Sequence, residues 1–164
     1  MARRDWDDAD DETPASGTRA LERALQETRT VYRQADEAYA PYSCPASGEC
    51  CQLAVTKRQP WLWLPEWELL KRSKPLPPPR ADGACPYLDA AGLRCTVYAD
   101  RPFGCRTFFC QRIQGPARQP SDEVSKLLLR LERISQRVMP SLRGPRPLLE
   151  WYAGVSTAPA REER

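Results

Sequence analysis

The chain has 164 residues, 41% of them apolar, and a formal charge of +3. It contains seven cysteines, 17 prolines and no histidine, which excludes imidazole both as a general base and as a metal ligand. No run approaches the roughly 20 apolar residues of a membrane span. The length fits one domain with tails, and the prolines leave much of it as loop, a thin core that a bound metal would strengthen.

Residues 1–17 set two arginines against six acids, with Thr13, Pro14, Ser16 and Gly17 behind them. Such a segment buries too little apolar surface to order itself and reads as a disordered acidic leader. It lacks the apolar stretch of a secretory signal, so a cytoplasmic location is expected. The remaining chain is basic. With no recognition motif beside them, its arginines read as a solvated surface rather than a nucleic-acid footprint.

Leu21, Leu25, Tyr32, Ala35 and Tyr39 recur at helical spacing and predict a helix from Thr18 to about Ala40, ended by Pro41. Residues 52–57, QLAVTK, read as a short strand. Trp61, Trp63 and Trp67 follow, expected as a satellite core, and Pro65 suits the first turn of a helix running through Leu70. Residues 74–80, KPLPPPR, predict an extended connector.

Residues 85–98 predict a hairpin with a three-residue loop of Ala90, Ala91 and Gly92. That register pairs Asp89 with Leu93 and Tyr87 with Cys95, and sets Cys85 and Cys95 diagonally on one face; a loop one residue longer would part them. Residues 120–138 predict a helix with Ser121 as N-cap, Asp122 and Glu123 in the first turn, and a buried stripe of Val124, Leu127, Leu128, Leu131, Ile134 and Val138. A short helix at 146–153 and a flexible tail over 154–164 complete the chain. The expected fold is helix-rich α+β: a small cysteine-cluster hairpin and loop core flanked by N- and C-terminal helices, in one domain over 18–153.

Cys44, Cys50, Cys51, Cys85, Cys95, Cys105 and Cys110 all fall within 67 residues. In a reducing compartment such clustering points to metal or redox chemistry rather than disulfides. All-sulfur sites favour zinc, iron–sulfur clusters or copper(I). There is no C-x-x-C pair, and the spacing of Cys105 and Cys110 lacks the companion pair of a plant-type ferredoxin. An extended chain would turn Cys50 and Cys51 to opposite faces. A helix through 105–110 would set its two cysteines about 140° apart, at about 100° per residue. The candidate ligands are therefore Cys50 or Cys51 with Cys85, Cys95 and Cys105, and Cys44 can replace any of them. Arg101 and Arg106 are candidates to neutralise thiolates from outside the ligand shell; Arg101 suits an ion pair with Asp100 or Glu49 equally well. Tyr98, Phe103, Phe108 and Phe109 are expected to shield the site.

The run Cys44-Pro-Ala-Ser-Gly-Glu-Cys50-Cys51, then Cys85-Pro-Tyr-Leu, then Cys95-Thr-Val-Tyr-Ala-Asp-Arg-Pro-Phe-Gly-Cys105-Arg resembles the YkgJ-type cysteine-cluster family over roughly residues 43–110. The resemblance implies a zinc- or iron-chelating domain. The family's run opens C-x-x-C-G-x-C-C; here Ser47 holds the place of the second cysteine, and Cys110 is an additional thiol. Flagellin lysine methylases carry a similar cysteine region, but this chain has no glycine-rich S-adenosylmethionine motif and that activity does not follow. The expected function is metal binding through cysteine thiolates, with zinc or iron (including an iron–sulfur cluster) as cofactor, in a structural or electron-transfer role. Two other readings remain: a redox or group-transfer enzyme using the cluster or a reactive thiol, and a zinc-stapled module for protein or nucleic acid. The metal ion is the partner implied. No motif identifies a protein partner, and neither membrane nor nucleic acid is expected.

Overall fold

A computed structural model describes residues 14–142 and 144–156. The expected leader, up to residue 13, and the tail from 157 lie outside the described residues. Six α-helices are present among them: α1 (Pro14–Tyr39), α2 (Leu53–Thr56), α3 (Leu64–Ser73), α4 (Phe103–Arg106), α5 (Ser121–Val138) and α6 (Leu148–Ser156). Two short strands, β1 (Trp61–Leu62) and β2 (Arg146–Pro147), pair antiparallel with Trp61 opposite Pro147 and Leu62 opposite Arg146. The fold is the expected helix-rich α+β. Among the described residues no helix is long and apolar enough to cross a membrane.

α1 buries Ala24, Leu25, Thr28, Val31, Tyr32 and Ala35, the three- and four-residue spacing of one helical face. It starts at Pro14, earlier than Thr18, because proline is tolerated in a first turn, where its missing N–H has no partner to lose. α5 packs antiparallel on that face. Arg137 Nη2 donates to Glu27 at 2.5 Å and Arg130 Nη1 to Gln34 at 3.0 Å, while Leu131 and Ile134 enter the core between the helices. Each fully buried leucine there contributes about 2 kcal/mol. Leu128, predicted to be buried, is 45% exposed. Ser121 is the first helical residue of α5, with Pro120 at the N-cap and no side-chain cap; proline fixes the entry dihedral and takes the place expected of the serine.

α3 joins this cluster to a second one. Leu69 faces α1 and α5, whereas Trp67 and Leu70 face Cys51, Cys85, Tyr87, Leu88, Leu148 and Tyr152. The tryptophans divide as packing demands: Trp63 and Trp67 are buried, and Trp61 is exposed on the β1 edge. Residues 74–80 run without regular structure, as predicted, and the Pro77 carbonyl accepts a hydrogen bond from the Tyr152 hydroxyl of α6.

Glu66 is the polar centre of the fold, 1% exposed. It sits in the first turn of α3 and reaches back to accept from the Trp63 N–H at 2.9 Å. Its other oxygen accepts from the Tyr32 hydroxyl of α1 at 3.0 Å and from the Phe103 N–H of α4 at 2.7 Å. Arg106 lies over the Tyr32 ring at 4.3 Å and is held by Asp36 at 2.6 Å. Burial pushes the Glu66 carboxyl up, and the three donors with Arg106 oppose that rise.

The segment QLAVTK, read as a strand, folds as the single helical turn α2, because Gln52 O accepts from both the Val55 and Thr56 N–H groups at 3.0 and 2.9 Å. Before it, Glu49–Cys51 form a 3₁₀ turn entered through Gly48 at φ +72°. A Cβ on Gly48 would lie 2.7 Å from the backbone carbon and oxygen of Leu93, so glycine permits the cysteine turn to dock on the 85–95 loop.

Two predictions follow from these contacts. Glu66→Gln places an amide N–H against at least one of the three donors, so it is expected to lower the unfolding free energy by about 2–3 kcal/mol. A urea midpoint equal to wild type would remove Glu66 as the organising contact. Gly48→Ala is expected to cost about 1–3 kcal/mol from its left-handed backbone alone, and more from the clash with Leu93. Gly17→Ala is the control, since open space surrounds that position within α1; equal melting temperatures for the two variants would refute the close docking.

Candidate metal centre

Three backbone devices bring the cysteines together. The 3₁₀ turn carries Cys50 and Cys51, and the Cys51 carbonyl accepts from the Cys85 N–H at 2.8 Å. Cys85-Pro86-Tyr87-Leu88 is a tight turn closed by Leu88 N–H to Cys85 O at 2.9 Å, with proline at the position that favours its fixed φ. Leu88 then bridges to Cys95. The register is one residue longer than predicted: Asp89 faces Arg94, and the Asp89 carboxylate accepts from the N–H groups of Leu93 at 2.8 Å and Arg94 at 3.2 Å. In a regular hairpin that shift would part Cys85 from Cys95. The turn at Pro86 takes Cys85 out of strand geometry and returns its thiol to the same side.

The 3₁₀ turn likewise removes the alternation expected at Cys50 and Cys51. Cys51 is buried in one cluster with Cys85, and Cys50 and Cys95 pack against that cluster. Interaction with these three thiols pushes the Cys51 thiol up, and interaction with Cys51 lowers each of them. Cys50 falls to about 6, helped by Arg58 and Arg101; Cys95 falls to about 7, helped by the Val97 N–H and Arg101; Cys85 is also lowered, helped by the Tyr87 N–H.

Cys105 stands apart from this group in its bonding. α4 ends at Arg106, so no helix runs on to Cys110. Cys105 keeps some surface toward the cavity yet is densely surrounded, and loss of solvation raises its thiol to about 11. Arg58 Nη2 donates to its sulfur at 3.4 Å and to Gly104 O at 2.8 Å, and the guanidinium lies 4.2 Å from the Phe108 ring centre. Cys44 is exposed, with the Ala46 N–H 3.5 Å from its sulfur. Cys110 opens a turn closed by Ile113 N–H to Cys110 O at 3.1 Å. The bridge between Ser43 and Gln114 ties these last two stretches together.

All seven cysteines line one cavity of about 550 Å³. Arg101 faces it, stacked on the Tyr98 ring at 3.9 Å rather than paired with Asp100 or Glu49; the Glu49 carboxylate is taken by Arg112. Arg106 also reaches the wall, but its guanidinium serves Asp36 and the Ala99 carbonyl. Phe103 is buried, whereas Tyr98 and Phe108, expected as shielding core, are exposed in part. Phe109 meets Tyr42 edge-on.

The residue that sequence reasoning missed is Arg58. A single arginine in the run Lys57-Arg58-Gln59 carries no spacing signal, and its role depends on α4 folding back beside β1.

Among the described residues, no three cysteine, aspartate or glutamate side chains already stand at metal-ligand spacing. The chemistry of the donor set nevertheless fits a thiophilic ion: Cys50, Cys51, Cys85 and Cys95 share one cluster and one cavity, three of the four are lowered toward the thiolate, and Arg58 and Arg101 favour that charge.

No curated protein and no solved structure matches the chain. The family model CxxCxxCC, described as "Putative zinc- or iron-chelating domain", matches residues 43–124, which include all seven cysteines and the start of α5. By that match the chain belongs to the CxxCxxCC family, the YkgJ-type cysteine-cluster proteins.

Proposed function

We propose that the chain holds one zinc ion or an iron centre through Cys50, Cys51, Cys85 and Cys95, with Cys105 beside them under Arg58. The observation that carries this reading is the single cavity lined by all seven cysteines, with the Cys51 turn tied to Cys85 by a backbone hydrogen bond and the 85–95 loop closed at Cys95. Four clustered cysteines present the donor number and softness that a tetrahedral zinc or an iron–sulfur cluster requires. When bound, the metal supplies cross-linking of the 3₁₀ turn to the 85–95 loop, or one-electron chemistry if it is iron. A site closed by four sulfurs has no open position for hydrolysis, which favours a structural or electron-transfer role. Seven free thiols suit a reducing compartment such as the cytoplasm.

Metal and acid-labile sulfide, measured on anaerobically purified protein, separate the two options. Brown protein with iron and sulfide identifies a cluster; colourless protein with one zinc identifies a structural site. Protein with neither, and with freely titrating thiols, refutes metal binding and leaves the thiol-enzyme reading.

Cys51→Ser, Cys85→Ser and Cys95→Ser are each expected to weaken metal retention by more than the roughly 10–100-fold typical of losing an outer-shell partner, with a lower melting temperature. Cys110→Ser is expected to stay close to wild type. Unchanged chelator kinetics in the first three variants would refute the ligand assignment.

Ser47 is half-buried and lines the cavity. A thiol there gains access to the ligand shell, whereas a hydroxyl is a poor donor to a soft metal. Ser47→Cys is therefore expected to slow metal loss to a chelator or to change the cluster spectrum. Unaltered kinetics with a freely alkylated new thiol would show that the position only forms a turn.

A further inference from the structure

The cavity is larger than a thiolate-bound ion requires. Zinc–sulfur bonds of about 2.3 Å draw four ligands close around the ion, whereas the space lined by the seven cysteines is about 550 Å³. That is the size of pockets that take small organic molecules.

One wall of the cavity has a second chemistry. Arg101 donates from Nη1 to the Tyr98 carbonyl at 3.1 Å and stacks on the Tyr98 ring. Among the described residues it pairs with no carboxylate. The other arginines on the cavity are engaged: Arg106 by Asp36, Arg112 by Glu49, and Arg58 by the Cys50 and Gly104 carbonyls and the Cys105 sulfur. Tyr98 and Cys44 line the same cavity, interact electrostatically, and are both exposed. This is the open side of the cavity, with a positive fork, a hydroxyl and a thiol together.

We infer that this wall anchors an anion and that the cavity binds a small organic carboxylate beside the thiol cluster. Arg101 grips the carboxylate through two parallel N–H bonds, the geometry its planar fork favours. The Tyr98 hydroxyl donates a further bond, and the body of the ligand lies along the aromatic side chains of Tyr39 and Tyr42, which also line the cavity. The inference rests on the metal-centre reading only for what stands next to the ligand.

S-methylglutathione is a suitable probe: it is a peptide-sized dicarboxylate with no free thiol, so it neither strips metal nor exchanges with cysteines. It is titrated by calorimetry into the metal-loaded full chain and into the same chain after chelation. Saturable one-to-one binding is expected, weakened at least about tenfold in Arg101→Gln, which loses a charge-assisted pair. Arg101→Lys, which keeps the charge without the fork, is expected to fall between. Bound probe is also expected to slow alkylation of Cys44 by a maleimide in the wild type, a readout that stands even if the Arg101 variants disturb folding. No saturable binding, or binding that leaves Cys44 alkylation unchanged, overturns the anion site. Probe binding by a chain that takes up no metal supports the anion site and refutes the metal centre; metal uptake without probe binding does the reverse.

Discussion

A carboxylate removed from water costs several kcal/mol unless its lone pairs are satisfied, and Glu66 meets that condition with donors from three separate elements. The Tyr32 hydroxyl comes from the middle of α1, the Trp63 N–H from the start of α3 and the Phe103 N–H from the start of α4. Because each oxygen must find its donor in one geometry, the contact fixes where α3 begins, how it crosses α1, and where α4 enters. Cys105 lies two residues beyond Phe103 and Trp61 two residues before Trp63. A polar contact in the helical half of the molecule thus sets the placement of a cysteine in the other half.

The two apolar clusters are unequal partners. The one between α1 and α5 is built from long helical faces, with Leu25, Val31 and Leu131 wholly buried, and resembles an ordinary helix pair. The other takes one face of α3 and part of α6 together with single turns, a proline-rich connector and a strand of two residues, and its buried members include Cys51 and Cys85. Little regular hydrogen bonding holds that half in place. Its thiols are therefore part of its core as well as its chemistry. Under the proposed ligand set, removal of a bound metal would act there as loss of cross-linking between the 3₁₀ turn and the 85–95 loop, because binding and folding free energy are linked at such sites.

Helical periodicity made α1, α3 and α5 legible in the sequence, since each buries one face over several turns and the repeat survives averaging. The cysteine region was legible as chemistry but not as geometry. QLAVTK alternates enough to read as a strand, yet Gln52 closes a helical turn over it; the hairpin loop was read one residue short because the Asp89 side chain caps two further N–H groups. Those errors offset one another at the site. The Cys-Pro turn redirects Cys85 and the 3₁₀ turn redirects Cys51, so the thiols converge by a route that strand logic does not describe. Glu66 and Arg58 had no signal at all, because a single charged residue acquires its meaning only from partners 34 to 47 positions away.

Ser47, where the family run has a cysteine, bears on the cavity rather than on the turn beside it. In the family run C-x-x-C-G-x-C-C, the second cysteine precedes the glycine, and here Ser47 precedes Gly48 in the same way. Gly48 is needed for its left-handed backbone and close approach to Leu93, so the turn that delivers Cys50 and Cys51 survives whatever stands at 47. The four proposed ligands, Cys50, Cys51, Cys85 and Cys95, include neither Cys44 nor position 47, and all six positions line one cavity. A serine at 47 therefore leaves that proposed set intact and takes one soft donor from the cavity they share. Under the proposed anion site, a cavity with a hydroxyl where the family run has a thiol, and with an arginine that has no carboxylate partner among the described residues, is better suited to hydrogen-bonding an anion than to holding a second metal.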